Sequence, residues 1–368
     1  DTTVEATSNL QGANIKMPLP LTKPLDAARE LNLSLSIHDN QFSEIKYSYA
    51  DAVKGVVKFK HNNFGGKITS TNALTLFHWS DWKAYLDGPS KGISAHKTTD
   101  MLKQYIDRVS ITVGDLTIMG QSLSDALLSV SPKPDAWLLQ IDSDAILGEL
   151  SIPDKFTTGQ FTGKFKQLHI APLPVDFNTA SDAMAPEILP AIKMDAKDFS
   201  FGKKQFGETH LRLVPGDNRI VIERLETNSP ALSIDATGEW SWENESNKTH
   251  VAGSVTTEDL EALFKQWEYN SAVIGSTGQA VFDFSWPDVP YKVDFTTIMG
   301  TVSADMGSGH IVNVDDDTAT KLTLGKFINL LSIETIAKRV TLNFSDMTTK
   351  GYYFNELQTH LIFSNNNL

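Results

Sequence analysis

The residues with the most recognisable chemical spacing are four Ser-x-x-Lys pairs: Ser43/Lys46, Ser80/Lys83, Ser94/Lys97 and Ser200/Lys203. In one class of acyl-transfer enzymes such a serine attacks a carbonyl beside the lysine, with Ser-Asp-Asn and Lys-Thr-Gly segments completing the site. Neither companion segment occurs, and a two-letter pattern recurring in a chain with many serines is background. The segment Gly159-Gln160-Phe161-Thr162-Gly163-Lys164-Phe165 is one spacer short of a phosphate loop. It also places Phe165 where a hydroxyl must hold magnesium. No Gly-x-Ser-x-Gly elbow is present, and the nine histidines form no His-x-x-x-His pair. Asp315, Asp316 and Asp317 could bind calcium weakly, but the solvated N-terminus of a helix starting at Thr318 accounts for them more simply. A carboxylate pair for glycoside hydrolysis would be distant in the chain and leave no local signature. The tryptophans could stack on sugars, yet Trp240 and Trp242 share one strand face, as do Phe284 and Trp286, which suits a core or groove lining. These residues predict no enzyme, no metal and no cofactor.

The elements that carry them are predicted to be strands. Leu31, Leu33, Leu35 and Ile37 alternate with Asn32, Ser34, Ser36 and His38, the period of two that turns one face inward. The alternation recurs in Ala280-Phe282-Phe284-Trp286, Tyr291-Val293-Phe295, Val340-Leu342-Phe344 and Leu357-Thr359-Leu361-Phe363. Turn chemistry separates the runs at Asp39-Asn40, Gly65-Gly66, Pro215-Gly216-Asp217-Asn218 and Trp286-Pro287-Asp288. One polar face per strand points to antiparallel pairing. Helical spacing is confined to 257–268, with a Thr N-cap candidate, to 318–338, and to the weaker stretches 98–108 and 122–130.

Length and composition bound the rest. A chain of 368 residues with 40% hydrophobic and 21% charged residues can bury a large core. The net charge of −13 excludes nucleic acid and disfavours an anionic membrane surface, since both reward clustered Lys and Arg. With no cysteine, thiolate catalysis, disulfides and Cys-ligated zinc are excluded, and an exported bacterial protein is the sharper reading. No run reaches the ~20 apolar residues that span a bilayer. The expected status is a mature form or an excised fragment, and the abrupt start and the polar end, Ser364 to Leu368, suit a fragment.

An internal repeat emerges when the strands are aligned. Asp115-Leu116-Thr117-Ile118 falls on Asp198-Phe199-Ser200-Phe201, and both are followed by a small-residue turn, an amphipathic stretch, a Pro-containing loop and two strands. Such units stack on their neighbours into elongated structures. The expected division is an N-terminal β segment over 1–108, meander repeats over 109–193 and 194–255, and a C-terminal region over 256–368.

Residues 321–357 carry a more specific pattern. It comprises Leu330-Leu331-Ser332, Arg339, Leu342, Phe344-Ser345-Asp346, Lys350-Gly351 and Phe354. With Gly238-Glu239-Trp240, Phe284-Ser285-Trp286-Pro287 and Gly300 upstream, the chain resembles the AsmA-like C-terminal region of YhdP-type proteins. That family is similar to TamB-type and bridge-like lipid-transfer proteins. The resemblance implies a mainly β fold, an elongated, curved antiparallel β-sheet groove built from repeated strand meanders with a few short helices packed on it. It also implies a periplasmic lipid-transfer conduit that shelters phospholipid acyl chains between inner and outer membrane. The implied partners are phospholipid acyl chains, the inner membrane through an N-terminal anchor missing from this sequence, and outer-membrane components. Each CH₂ buried in such a groove contributes ~0.8 kcal/mol. Parity nominates Phe282, Phe284, Val293, Phe295, Val340, Leu342 and Phe344 as the groove lining. The alternative is a periplasmic scaffold or outer-membrane assembly factor with a closed β core and no lipid ligand. A β-sandwich hydrolase is the enzyme rival.

Overall fold

A computed structural model describes residues 1–62, 65–86, 103–118, 120–155, 158–172, 189–243, 246–266, 273–293, 297–311 and 352–364. The helical stretch 318–338 and the strand Val340-Leu342-Phe344 lie outside the described residues, as do Asp315 to Asp317 and Phe295. By its internal packing the chain forms two units, Asp1–Ala183 and Met184–Leu368. Both are built from open, curved sheets of strand meanders. The mainly β class with few short helices, expected from alternation, is the one observed.

The first unit holds β1 (Thr2–Ser8), β2 (Leu31–His38), β3 (Gln41–Tyr49), β4 (Val53–Asn62) and β5 (Gly65–His78). After helix α1 (Trp79–Leu86) come β6 (Ile106–Ile118), β7 (Gln121–Lys133), β8 (Ala136–Asp142), β9 (Ile146–Pro153) and β10 (Gln160–Ile170). Each strand pairs antiparallel with the next, except that β5 and β6 run parallel. A parallel pair needs a crossover, and the segment containing α1 provides it. Asp39 and Asn40 turn between β2 and β3 with φ of 48° and 61°, the left-handed pair a two-residue hairpin demands.

The stretch 122–130, given helical spacing above, is strand β7. Its Leu123 and Ala126 are three apart and both buried, which mimics a helix face. The change of phase falls at Asp125, whose φ is 48°. The Cα register with β6 is the same on either side, Val113↔Ala126 before it and Asp115↔Ser124 and Leu116↔Leu123 after it. Both strands therefore change face together: Val113 and Leu116 are buried like Ala126 and Leu123. Likewise, β6 begins at Ile106, so the end of 98–108 is strand.

The most buried part of this unit lies along one margin of its sheet. Leu74, Val113, Leu116, Leu123 and Ala126 form a cluster, and Leu21 from the β1–β2 connection packs on it. Tyr49 Oη donates to Leu21 O at 3.3 Å, and the Arg29 guanidinium lies 5.7 Å from the Tyr49 ring. Lys23 anchors the connection from within: fully buried, its Nζ donates to Ala13 O at 2.7 Å and Pro24 O at 2.9 Å. Lys23→Met keeps the volume and strands two carbonyls. Urea unfolding is expected to show a loss of about 2 kcal/mol. A change below a few tenths would show that the ammonium does not hold this connection.

The second unit runs through β11 (Ala191–Phe201), β12 (Lys204–Gly216), β13 (Arg219–Asn228), β14 (Ser233–Glu243) and β15 (Ser246–Thr257). Helix α2 (Leu260–Gln266) follows, then β16 (Val273–Ile274), β17 (Gly278–Trp286), β18 (Met299–Met306), β19 (Gly309–Ile311), β20 (Tyr352–Phe354) and β21 (Leu357–Phe363). Strands β11 to β15, β17, β18 and β21 pair antiparallel in that order. A small sheet, β16–β19–β20, stands apart. The cap of α2 is Asp259, whose Oδ1 accepts from Ala262 N at 3.0 Å. The expected cap, Thr257, instead accepts from Asp259 N at 3.2 Å.

Tyr291 and Val293, read as part of a strand, lie in the connection after β17. Pro287 and Pro290 cannot donate to a ladder. The segment turns instead: Lys292 N donates to Val289 O at 3.0 Å, and Trp286 Nε1 to the same carbonyl at 3.0 Å.

Candidate functional site

Cα register resolves which side chains share a face, because residues opposite one another in neighbouring strands point the same way. Across the eight strands of the second unit, one row reads Ile192, Leu213, Ile222, Gly238, Val251, Phe284, Gly300, Phe363. The next reads Met194, Leu211, Leu225, Ala236, Gly253, Phe282, Val302, Leu361. A third follows through Ala196, Thr209, Thr227, Ile234, Val255, Ala280, Ala304 and Thr359. None of these positions carries a charge. The opposite face reads Asp195, His210, Glu226, Asp235, Ser254, Val281, Ser303 and His360. Its polar groups pair among themselves: His210 Nδ1 is 2.7 Å from Asp195 Oδ1, and His250 Nε2 is 2.9 Å from Asp283 Oδ1.

The apolar face is closed along its margins and open in its middle. At one margin Ile220, Trp240, Thr249 and Trp286 are all buried. The connection after β17 covers them, and Thr249 Oγ1 donates to Asp288 O at 2.7 Å. At the other, Leu260 of α2 lies against Gly278, and Leu263 and Leu357 are buried. Between the margins, Leu211, Leu213, Val251, Phe282, Phe284 and Val302 remain half-buried among the described residues. Ala196, Thr209 and Thr227 of the third row are buried, as are Ile222, Ala236 and Leu361. The open lane is thus confined to the half-buried positions of the first two rows, about 7 Å apart.

Glycines let neighbouring strands approach closely: a Cβ at Gly238, Gly253 or Gly300 would run into the backbone of the adjacent strand. Their partners across the ladder are large: Val251 opposite Gly238, Phe282 opposite Gly253, Phe284 opposite Gly300. The aromatics therefore lie over bare backbone.

The first unit repeats this plan. One row runs through all ten strands as Ala6, Leu33, Tyr47, Gly55, Asn72, Ile111, Leu128, Ile141, Gly148, Phe165. Another runs as Val4, Leu35, Ile45, Val57, Ser70, Val109, Val130, Leu139, Leu150, Gly163. These rows are also uncharged, and most of their members are half-buried.

Of the nominated lining, Phe282 and Phe284 stand side by side, rings stacked with centroids 5.6 Å apart. Val293 is in the connection and 46% exposed, outside the rows. Phe295, Val340, Leu342 and Phe344 fall outside the described residues. Sequence reasoning missed Phe363, whose ring meets Phe284 edge-on at 5.4 Å, although its strand had been recognised. It also missed the rows of β11 to β15. Their signal was present as alternation but was broken by the irregular pairing at 196–199 and 222–225. Trp240 and Trp286 are buried by the protein itself, which makes them core.

No helix among the described residues is long and apolar enough to cross a membrane. Nor do the described residues hold a group of three or more His, Asp or Glu able to bind a metal.

Open, curved sheets with a polar outer face and uncharged, largely half-buried inner rows define an open β-sheet scaffold. The chain belongs to the YhdP family: the family model described as YhdP protein matches residues 1–368. Over 147 residues it is 22% identical to the intermembrane phospholipid transporter YhdP of Escherichia coli strain K12. That match covers 40% of this chain and 11% of the relative, so the chain spans a small part of the relative's length. No solved structure matches it.

Proposed function

We propose that the chain is a segment of a periplasmic lipid-transfer conduit whose apolar rows shelter phospholipid acyl chains on their way between inner and outer membrane. The observation that carries this is the set of uncharged rows that cross the ten registered strands of the first unit and the eight of the second, most of their members half-buried among the described residues. A monomer leaves so much apolar surface uncovered only where something apolar visits it. The family membership and the transporter relative support transport rather than catalysis. Residues 109–193 and 194–255 are read as successive meander repeats, each contributing strands to a lane. Anchorage in the inner membrane and contact with outer-membrane components belong to the longer parent protein in this reading.

The physics is undemanding. Acyl chains replace water on the rows at ~0.8 kcal/mol per CH₂, and no group needs a shifted pKa. Transfer then requires no chemical step, only a path along which each position is equally apolar. A closed β core, the scaffold alternative, expects the rows to be covered by protein; the half-burial of Phe282, Phe284, Leu211 and Val251 argues for the open form.

Photo-crosslinking side chains placed at Leu211, Phe284 and Phe363, with His360 on the outer face as control, test the reading. Phospholipid adducts by mass spectrometry are expected at the first three and not at His360. Lipid-free spectra at all inner positions would overturn it.

A further inference from the structure

The two ten-strand rows of the first unit are not uniformly apolar. Apart from the Tyr47 hydroxyl they contain two polar side chains, Asn72 and Ser70, which are neighbours on one face of β5. The three groups are joined. Tyr47 Oη donates to Asn72 Oδ1 at 2.5 Å, and Asn72 Nδ2 donates to Ser70 Oγ at 3.1 Å and to Ser110 O at 2.9 Å. Tyr47 is on β3 and Asn72 on β5, so the link crosses β4, and it crosses at Gly55. A Cβ there would sit 2.5 Å from Asn72 Oδ1 and 2.6 Å from Tyr47 Cζ and Oη. Absence of a side chain at Gly55 thus lets a polar rung lie flat on the apolar lane.

We propose that this rung, Tyr47–Asn72–Ser70, binds the ester-bearing glycerol region of a diacyl lipid while the acyl chains lie along the flanking apolar rows. The inference rests on the lipid-conduit reading and adds a position within it. Both Asn72 N–H groups are committed, which fixes the amide. The hydroxyl proton of Ser70 has no acceptor among the described residues, and the Tyr47 proton can pass from Asn72 Oδ1 to a better-placed oxygen. Both are donors, so the rung matches an acceptor. Burial raises the Tyr47 pKa further, and the phenol keeps its proton throughout the physiological range. No Lys or Arg stands in either row, so a phosphate would be stripped of water with no cation to receive it. An ester carbonyl is neutral and accepts; it fits where phosphate does not. A bare hydrocarbon at this position would instead strip water from the rung and return nothing. The rung is therefore a position where a lipid's oxygen-rich middle is favoured over its chains.

Retention of two lipids by the purified chain decides this: a diacyl phosphatidylcholine and the ether-linked dialkyl phosphatidylcholine of the same chain length. The ether lipid keeps head group and chains and lacks both carbonyls. Wild type is expected to retain the diacyl lipid about fivefold better, the size of one net hydrogen bond. Tyr47→Phe and Ser70→Ala, each removing one of the two donors, are each expected to reduce the preference, and the double variant to abolish it, without lowering ether-lipid retention. Equal retention of both lipids by wild type would overturn the rung and leave the conduit standing. A preference undiminished in the double variant would do the same. Failure to retain either lipid would overturn the conduit reading and the rung with it. If a variant does not fold, the wild-type comparison stands alone as the test.

Discussion

Gly253→Val is expected to lower the stability of the second unit by about 3 kcal/mol or more, the upper end of overpacking costs. At Gly253 a Cβ would overlap Asp235 O and lie 2.7 Å from both Ala236 Cα and Ala236 Cβ. Two of these are backbone atoms of the paired strand, with no rotamer through which to retreat. Relief requires β14 and β15 to separate, which opens their ladder at its middle, where Ala236 pairs with Gly253. Phe282, opposite Gly253 on the other side, loses the flat surface its ring covers. A suitable control is Gly275→Ala. Gly275 has φ of 68° and no atom within 4 Å of an added Cβ, so only the left-handed backbone is penalised, at about 1 kcal/mol. Urea unfolding of the two variants separates crowding from conformation. Gly253→Val unfolding no more easily than Gly275→Ala would mean that the two strands part without cost, and the crowding argument would fail.

The sheet was legible in the sequence wherever alternation was unbroken. Leu31 to Ile37 and Ala280 to Trp286 are β2 and β17, and Leu357 to Phe363 is β21. Legibility failed where the backbone shifts phase. The inward face of β7 changes at Asp125, which produces a spacing of three that imitates a helix. The crossover between β5 and β6 was invisible for a different reason. Parallel and antiparallel neighbours present the same period of two, and only the pairing distinguishes them. The candidate site was half legible. Parity put Phe282 and Phe284 on one face, but parity within a strand carries no information about its partner. That Phe284 is followed across the sheet by Gly300 and Phe363 is a matter of register. The rung shows the same limit: Tyr47, Gly55 and Asn72 are unremarkable in sequence and become one feature only once three strands are aligned.

Phe284→Asp is expected to cut retained phospholipid more than tenfold while leaving the fold in place. Phe284 lies mid-row and half-buried, with Phe282 stacked at 5.6 Å and Phe363 edge-on at 5.4 Å. In the free protein a carboxylate there is hydrated through the open side of the lane, so the sheet survives. Covering it with an acyl chain removes that water, and the two rows that hold Phe284 and Phe282 offer neither a cation nor a side-chain donor in return. Desolvating such a group costs several kcal/mol, against 1.4 kcal/mol for each tenfold in affinity. The matched control is Val281→Asp, three residues away on the same strand and 56% exposed on the outer face. It adds the same charge to the same strand, about 10 Å along the chain direction, and is expected to leave lipid retention unchanged. Mass spectrometry of lipid extracted from equal amounts of each purified variant gives the comparison, with circular dichroism confirming the strand content. Equal loss from both variants would assign the effect to net charge or to global loosening. Equal retention by both would mean that lipid, if carried, does not pass over Phe284. Loss from Phe284→Asp alone would locate the lipid on the face that register, rather than composition, picks out.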